Sequence, residues 1–431
     1  MNNRKDILFI GFALFSLFFG AGNLLLPPLL GYKAGDDWFL VAIGFIITAV
    51  IIPIVGIIAH AKLQGTLFDF GKKVSPTFSF AYCILIYVIA VALPSPRTAA
   101  ATHEIAIAPL FEISPIYTSS LYFSLVLVFV INRSTIVNLI GKFLTPIIVF
   151  ILLLVIAIGF FHSEMTAHTP TFKTPFVSGI LEGYQTFDAI AAVVVGAVII
   201  ISINNLSSAN QAFKRDLITK SGILAGIGLF IIYAGLIAIG AYYSSQFELN
   251  SSLSSDMQRA NLLRSIATSS LGGFGNSILS VLMALACFTT AVGIVTGAAD
   301  YFKGLCNDSQ IVYAVTAVLG CMIGIAIGQL DFNSIVIIAI PILLFIYPIT
   351  IVLIFLNVLP EKYASPLVFK AVVLVTFVFT IPDIVGFITP SQILSRVTSC
   401  IPLSEFNLGW VLPALLTLLT FSLFSHIKKA T

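Results

Sequence analysis

Two carboxylates, Glu182 and Asp188, a Gly20-Ala21-Gly22-Asn23 string and a Thr289-Thr290 pair stand in stretches of sequence that are otherwise almost wholly apolar. These residue types suit coordination rather than bond-making. Carboxylates and hydroxyls bind cations or accept hydrogen bonds, and backbone groups released near glycine can meet a ligand wherever a helix is interrupted. H-E-x-x-H, G-x-S-x-G and G-x-x-x-x-G-K-[ST] are absent from the sequence, so the hydrolytic and nucleotide chemistries they serve are not indicated. The five histidines, His60, His103, His162, His168 and His426, fall near span ends or in loops without ligand spacing, so no transition metal and no organic cofactor is expected.

The elements that must position these groups are membrane helices. Of 431 residues, 59% are hydrophobic and 9% charged, with a mean hydropathy of +1.09, whereas a soluble domain carries about 25% charged residues. Apolar runs long enough to span a bilayer recur from Ile7 to Ile427, and twelve spans are expected, at 7–30, 38–60, 78–100, 117–132, 138–161, 176–204, 217–243, 273–300, 310–328, 334–357, 367–388 and 408–427. A short amphipathic helix around Met257–Ala267 is expected to lie over the outer face.

Two spans should be broken. Gly20 and Gly22 each weaken a helix by roughly 1 kcal/mol relative to Ala, and Pro27-Pro28 is expected to hinder its resumption. Pro175 to Asn204 would measure about 45 Å as one helix against a core of about 30 Å. It carries Glu182, Gly183, Tyr184, Gln185, Thr186 and Asp188 in its first half, with Asp188 placed to cap a second half-helix from Ala189. Breaks in spans one and six head two sets of five helices, and an odd number puts the sets upside down relative to each other. Residues 1–161 and 176–357 then form two inverted halves, with 358–431 appended. Interrupted helices in corresponding places of inverted halves mark the binding site of secondary transporters.

The charge pattern gives orientation. With an intracellular N-terminus, fifteen of the 21 Lys and Arg fall on the cytoplasmic side, so both termini are expected there. Arg4 and Lys5 before an apolar run resemble a signal peptide, but the run continues to Leu30 and reads as a retained helix. The net charge of +3 is scattered and indicates no nucleic acid, and the five cysteines form no paired framework.

The strings FFGAGNLLLPP in span one, PSPRTAA from Pro94 and LEGYQTFDAIA from Leu181 resemble the bacterial branched-chain amino acid:cation symporter family over nearly the whole chain. The resemblance implies an all-α, leucine-transporter-like fold in the cell membrane, with 5+5 inverted repeats, importing Leu, Ile and Val with Na⁺ or H⁺. It places the substrate carboxylate at the N–H groups of Ala21 and Gly22, and its ammonium at carbonyls near Phe18, Tyr184 and Thr186. Tyr184 or Phe187 would pack on the aliphatic side chain, and Asn23 and Gln185 complete the set. Thr289 and Thr290 resemble a Na⁺-holding hydroxyl pair, completed by carbonyls of Ser16, Phe19 and Ala286. At about 1.5 Å per residue, Ser16 lies about 14 Å from Ile7 and Thr289 about 24 Å from Gly273, so the two can overlap in depth in a tilted bundle. Glu182 aligns near a second ion position beside Asn23 or could accept a proton, with Asp188 a further candidate.

Plainer readings exist for each. Glycines can mediate close helix contact, membrane threonines bond back to their own carbonyls, and Arg97 either pairs with Glu104 or Asp188 as an outer gate or snorkels to the interface. A passive channel or facilitator is the main rival, although no filter repeat such as TVGYG is present; an intramembrane enzyme fits less well.

Overall fold

The computed structural model describes residues 3–132, 140–162, 170–206, 210–245, 247–250, 253, 255–388, 398 and 400–430. It is a bundle of helices with no strand among the described residues. The first rod is interrupted: α1 (Asn3–Phe18) stops, two residues intervene, and α2 (Ala21–Ala34) begins. α3 (Trp38–Ile46) and α4 (Ile52–Leu63) continue through a π-helical turn at Ile47–Ile51, and α5 (Leu67–Gly71) is a short connector. Then come α6 (Pro76–Ala92), α7 (Pro94–Ala101) with a π-helical extension at Thr102–Ile107, α8 (Pro115–Ile131) and α9 (Thr145–His162). The second interrupted rod is α10 (Pro175–Tyr184) and α11 (Asp188–Leu206). The remainder is α12 (Gln211–Tyr242), α13 (Ser255–Leu271), α14 (Gly275–Leu305), α15 (Gln310–Ile327), α16 (Phe332–Val358), α17 (Pro366–Ile388) and α18 (Val411–Ala430).

Local chemistry sets many of the starts. Proline occupies the first turn of α6, α7, α8 and α10, where its missing N–H costs nothing. Ser75, Asn210 and Asp331 accept from the N–H three residues on, at 3.0, 2.9 and 2.9 Å.

Polarity is arranged inside out. Leu121, Phe150, Val281 and Leu374 are exposed, whereas Ser16, Asn23, Arg97, Asp188 and Thr289 are buried, a distribution suited to a hydrocarbon surround. Among the described residues, eight helical stretches are long and apolar enough to cross a membrane, nine if the two halves of the second interrupted rod, bent by 41°, count as one span. Twelve spans were expected. α1, with 16 residues, and Pro115–Ile131 and Val411–Leu423 are too short to reach that criterion alone. The short helix expected around Met257–Ala267 is present as α13, and it is packed down: Leu262, Leu263, Ile266 and Ala267 are buried.

The core divides into two apolar clusters. One contains Phe18, Phe19 and Ala21 of the first rod; the other contains Phe187, Ile190 and Val194 of the second. The interrupted ends of the two rods meet on the seam between them.

Candidate functional site

At the first break the chain leaves the helix for Phe19 and Gly20, and Asn23 closes the new end by accepting from Gly20 N–H at 3.3 Å through Oδ1. The expected interruption is therefore there, but the proline pair does not end the helix. Pro27 and Pro28 lie inside α2, where each lacks the N–H that would reach the carbonyl four residues back, so the Asn23 and Leu24 carbonyls lose their usual helical donors. α2 begins with Ala21 and Gly22, whose N–H groups have no acceptor within their own helix and point toward the break.

The second break is three residues, Gln185, Thr186 and Phe187. Phe187 adopts a left-handed φ of 66°, strained for a bulky residue. Gln185, Thr186 and Phe187 N–H groups turn back onto the carbonyls of Glu182, Gly183 and Tyr184 at 3.0, 3.3 and 3.2 Å. Asp188 already belongs to α11, and its carboxylate is not spent on the cap expected of it. Thr186 Oγ1 and the Tyr347 hydroxyl take the N–H groups of Asp188 and Ala189 at 3.3 and 3.1 Å. Asp188 Oδ2 instead accepts from Asn23 Nδ2 at 2.7 Å and lies 3.5 Å from the Tyr233 hydroxyl, which also contacts Asn23 Nδ2. The two broken rods are thus tied by an Asn23–Asp188–Tyr233 cluster in which every member is at most 2% exposed.

Four of the five residues expected around a cation, Ser16, Ala286, Thr289 and Thr290, are brought together. Ser16 Oγ donates to Thr289 Oγ1 at 2.9 Å; Thr289 Oγ1 is 2.9 Å from the Ser16 carbonyl and 3.0 Å from that of Ala286, and Thr290 Oγ1 lies 3.2 Å from the latter. A methyl group on Gly20 would meet Thr290 Oγ1 at 2.9 Å, so the break itself abuts this quartet. Phe19, the fifth residue expected there, is buried, with its ring stacked on Phe15 and Tyr233 at 5.4 and 6.0 Å.

Both breaks open on one cavity of about 30 Å³, room for one or two waters. Gly20, Ala21, Gly22, Asn23, Arg97, Thr186, Asp188 and Thr290 give it polar groups; Phe18, Ala90, Phe187, Ile190, Val194 and Ile294 give it apolar walls. A leucine fits only when the walls part. Tyr184 and Gln185, expected at the substrate, are not in the lining: Tyr184 packs on Tyr347 with ring centroids 4.8 Å apart, and Gln185 offers its carbonyl to Arg97 Nη1 at 2.7 Å.

Arg97 does not snorkel. It is 2% exposed, with its guanidinium carbon 5.2 Å from the Phe187 ring centre and 4.6 Å from that of Phe332. Glu104, one expected partner, accepts at Oε1 from Phe332 N–H at 2.8 Å, where a carboxylate favours the start of α16. Glu182 is separated from the role expected beside Asn23: it pairs with Arg259 of α13 at 3.4 Å, while Asn23 engages Asp188. Arg264 of α13 donates to the Glu104 carbonyl at 2.9 Å, so this helix is fastened at two points. Tyr233 and Tyr347 went unnoticed in the sequence. A single hydroxyl in the middle of an apolar window is their signal, weak because membrane tyrosines are so often interfacial.

Residues 3–428 match the family model described as "Branched-chain amino acid transport protein". The chain is 30% identical to the branched-chain amino acid transport system 2 carrier protein of Pseudomonas aeruginosa, covering 96% of this chain and 94% of that one. It is 31% identical to the branched-chain amino acid permease BraB of Bacillus subtilis, covering 95% and 93%. Among solved structures it resembles a Na⁺-coupled sialic acid symporter in a substrate-bound outward-open state, with a TM-score of 0.61 and 13% identity over 97% of this chain and 90% of that one. It also resembles MhsT in complex with L-phenylalanine, with a TM-score of 0.56 and 15% identity over 97% and 98%. At these identities the likeness concerns the fold, which is the leucine-transporter-like one with broken first and sixth helices. The relatives are carriers and permeases rather than enzymes, and the chain belongs to the branched-chain amino acid transport protein family.

Proposed function

We propose that the protein imports Leu, Ile and Val by symport with Na⁺ through alternating access, residing in a bacterial cell membrane with both termini in the cytoplasm. Residues 1–161 and 176–357 act as the two inverted repeats, and 358–431 supply appended helices. The observation that carries this reading is the meeting of both helix breaks in one buried cavity beside the Ser16–Ala286–Thr289–Thr290 oxygens. The substrate carboxylate sits on the Ala21 and Gly22 N–H groups at the positive end of α2, and the ammonium faces the carbonyl-rich end of α1 near Phe18. Phe187, Ile190, Val194 and Ile294 surround the aliphatic chain.

Four neutral oxygens suit Na⁺, a hard cation, and they come from two elements, one from the first rod and three from α14, the helix facing it. Binding there orders the same break that holds the substrate, so each ligand tightens the other to an equal degree. An inward charge moved through 100 mV releases about 2.3 kcal/mol, enough for roughly fortyfold accumulation at 1.4 kcal/mol per tenfold. The buried Asp188, bonded to Asn23, is the observation that favours H⁺ as the second reading.

Uptake of radiolabelled leucine into proteoliposomes tests both. A Na⁺ gradient at fixed pH is expected to drive transient accumulation above equilibrium, and a pH gradient without Na⁺ is not. Accumulation driven by pH alone would favour the Asp188 reading. Equilibration unaffected by either gradient would indicate a passive facilitator.

A further inference from the structure

Two buried charges line the cavity: Asp188, already committed to Asn23, and Arg97. The Arg97 fork is divided between the two broken rods. Nη1 reaches across to the Gln185 carbonyl at 2.7 Å, and Nη2 lies so close to Gly22 that even a methyl group in place of its hydrogen would overlap the nitrogen. The guanidinium therefore presses on the first turn of α2, the positive end of a helix dipole, where a carboxylate is favoured. Phe187 and Phe332 flank it at 5.2 and 4.6 Å and fix its plane.

We infer that Arg97 is the residue that recognises the substrate's α-carboxylate. The inference rests on the proposal that this cavity is the amino-acid site. On loading, one guanidinium nitrogen exchanges the neutral Gln185 carbonyl for a carboxylate oxygen, and the carboxylate bridges Arg97 to the Ala21 and Gly22 N–H groups. A planar, two-pronged donor matches a carboxylate better than a point charge does. A zwitterionic amino acid adds no net charge to a buried site, whereas an amine without a carboxylate adds a positive one. The exchange also frees the Gln185 carbonyl from Arg97, so recognition of the carboxylate loosens α7 from the second break.

The test is equilibrium binding of radiolabelled L-leucine to the purified full-length protein in Na⁺, with competition by unlabelled L-leucine, L-leucinamide and 3-methylbutylamine. The wild-type protein is expected to prefer leucine over leucinamide by roughly a hundredfold. Arg97→Gln is expected to weaken leucine binding by roughly thirtyfold and to reduce that preference to about threefold or less, because the charge-assisted bond that is lost is one leucine makes and leucinamide does not. Arg97→Lys, which keeps the charge but not the fork, is expected to fall between the two, and it supplies the readout if the glutamine variant does not fold. Leucine binding within about threefold of wild type in either variant, or a preference for leucine over leucinamide that survives the loss of Arg97, would overturn the assignment. A wild-type protein that binds leucinamide as tightly as leucine would do the same. A wild-type protein that binds no leucine at all would sink the proposed function itself, a failure distinct from these.

Discussion

The two helix breaks are built by opposite means. The first has glycine at Gly20 and Gly22, needs no left-handed residue, and leaves its polar groups facing outward. The Ser16 carbonyl meets Thr289 Oγ1, and the Ala21 and Gly22 N–H groups have no helical acceptor. The second has no glycine among its three residues, puts Phe187 at φ 66°, and consumes its own groups through turns onto Glu182, Gly183 and Tyr184 and through Thr186 and Tyr347 on the N–H groups that follow. The comparison teaches that matched breaks need not do matched work. The first presents carbonyls at one end and amide N–H groups at the other, while the second supplies a wall, Phe187, and a tether, the Gln185 carbonyl held by Arg97.

The sharpest way to break this contrast is to place one methyl group in each break. Gly22→Ala drives its methyl into Arg97 Nη2. Overpacking of this kind costs roughly 1–3 kcal/mol, so leucine binding is expected to weaken by about five- to a hundredfold while the protein still elutes as a folded species. Gln185→Ala keeps the backbone carbonyl that Arg97 uses, and its binding is expected to stay within about twofold of wild type. Comparable losses from both would erase the asymmetry. Thr289→Val comes next: it keeps the shape but removes the hydroxyl between the Ser16 and Ala286 carbonyls. The loss is expected to raise the Na⁺ concentration for half-maximal leucine uptake by roughly tenfold, measured in proteoliposomes, with Thr290→Val showing a smaller rise.

The legibility of the molecule follows the same asymmetry. The first break was spelled out locally, because Gly-Ala-Gly-Asn weakens a helix whatever surrounds it. The meeting of Ser16 with Thr289 was legible only as a compatibility of depths, since 273 residues separate them. The second break was visible as a helix too long and too polar, but its workings were not. That Asp188 turns to Asn23 instead of capping α11 depends on Tyr233 and Tyr347, contributed by two other helices. Glu182 looked isolated in an apolar run because its partner, Arg259, belongs to a helix that the sequence places only as a surface cover. The span count depends on the criterion, since length and apolarity together join neighbouring helices, as in Ala21–Leu63, and pass over short ones, as in Pro115–Ile131.

Phe187→Leu addresses the second break from the side of its wall. The substitution keeps the left-handed position occupied by a bulky side chain and removes only the ring against Arg97. A cation–π contact contributes from about 0.5 kcal/mol when exposed to about 2 kcal/mol or more when desolvated, so leucine affinity is expected to fall by about three- to thirtyfold. Equilibrium binding measures it, and an unchanged affinity would mean that Phe332 alone orients the guanidinium.

The smallest expected effect isolates the claim that the second break satisfies itself. Tyr347→Phe removes the hydroxyl that accepts from Ala189 N–H at 3.1 Å and leaves the ring that packs on Tyr184 at 4.8 Å. A first-turn N–H of α11 is then left without a protein acceptor, and a single lost bond of this kind costs about 1 kcal/mol. Thermal unfolding in detergent is expected to shift down by a few degrees, because the helix start is weakened while its packing is retained. Leucine binding should hardly move, because nothing in the proposed site draws on that N–H. If binding falls with stability unchanged, Ala189 N–H is a ligand-facing donor, and the second break would be as open to substrate as the first.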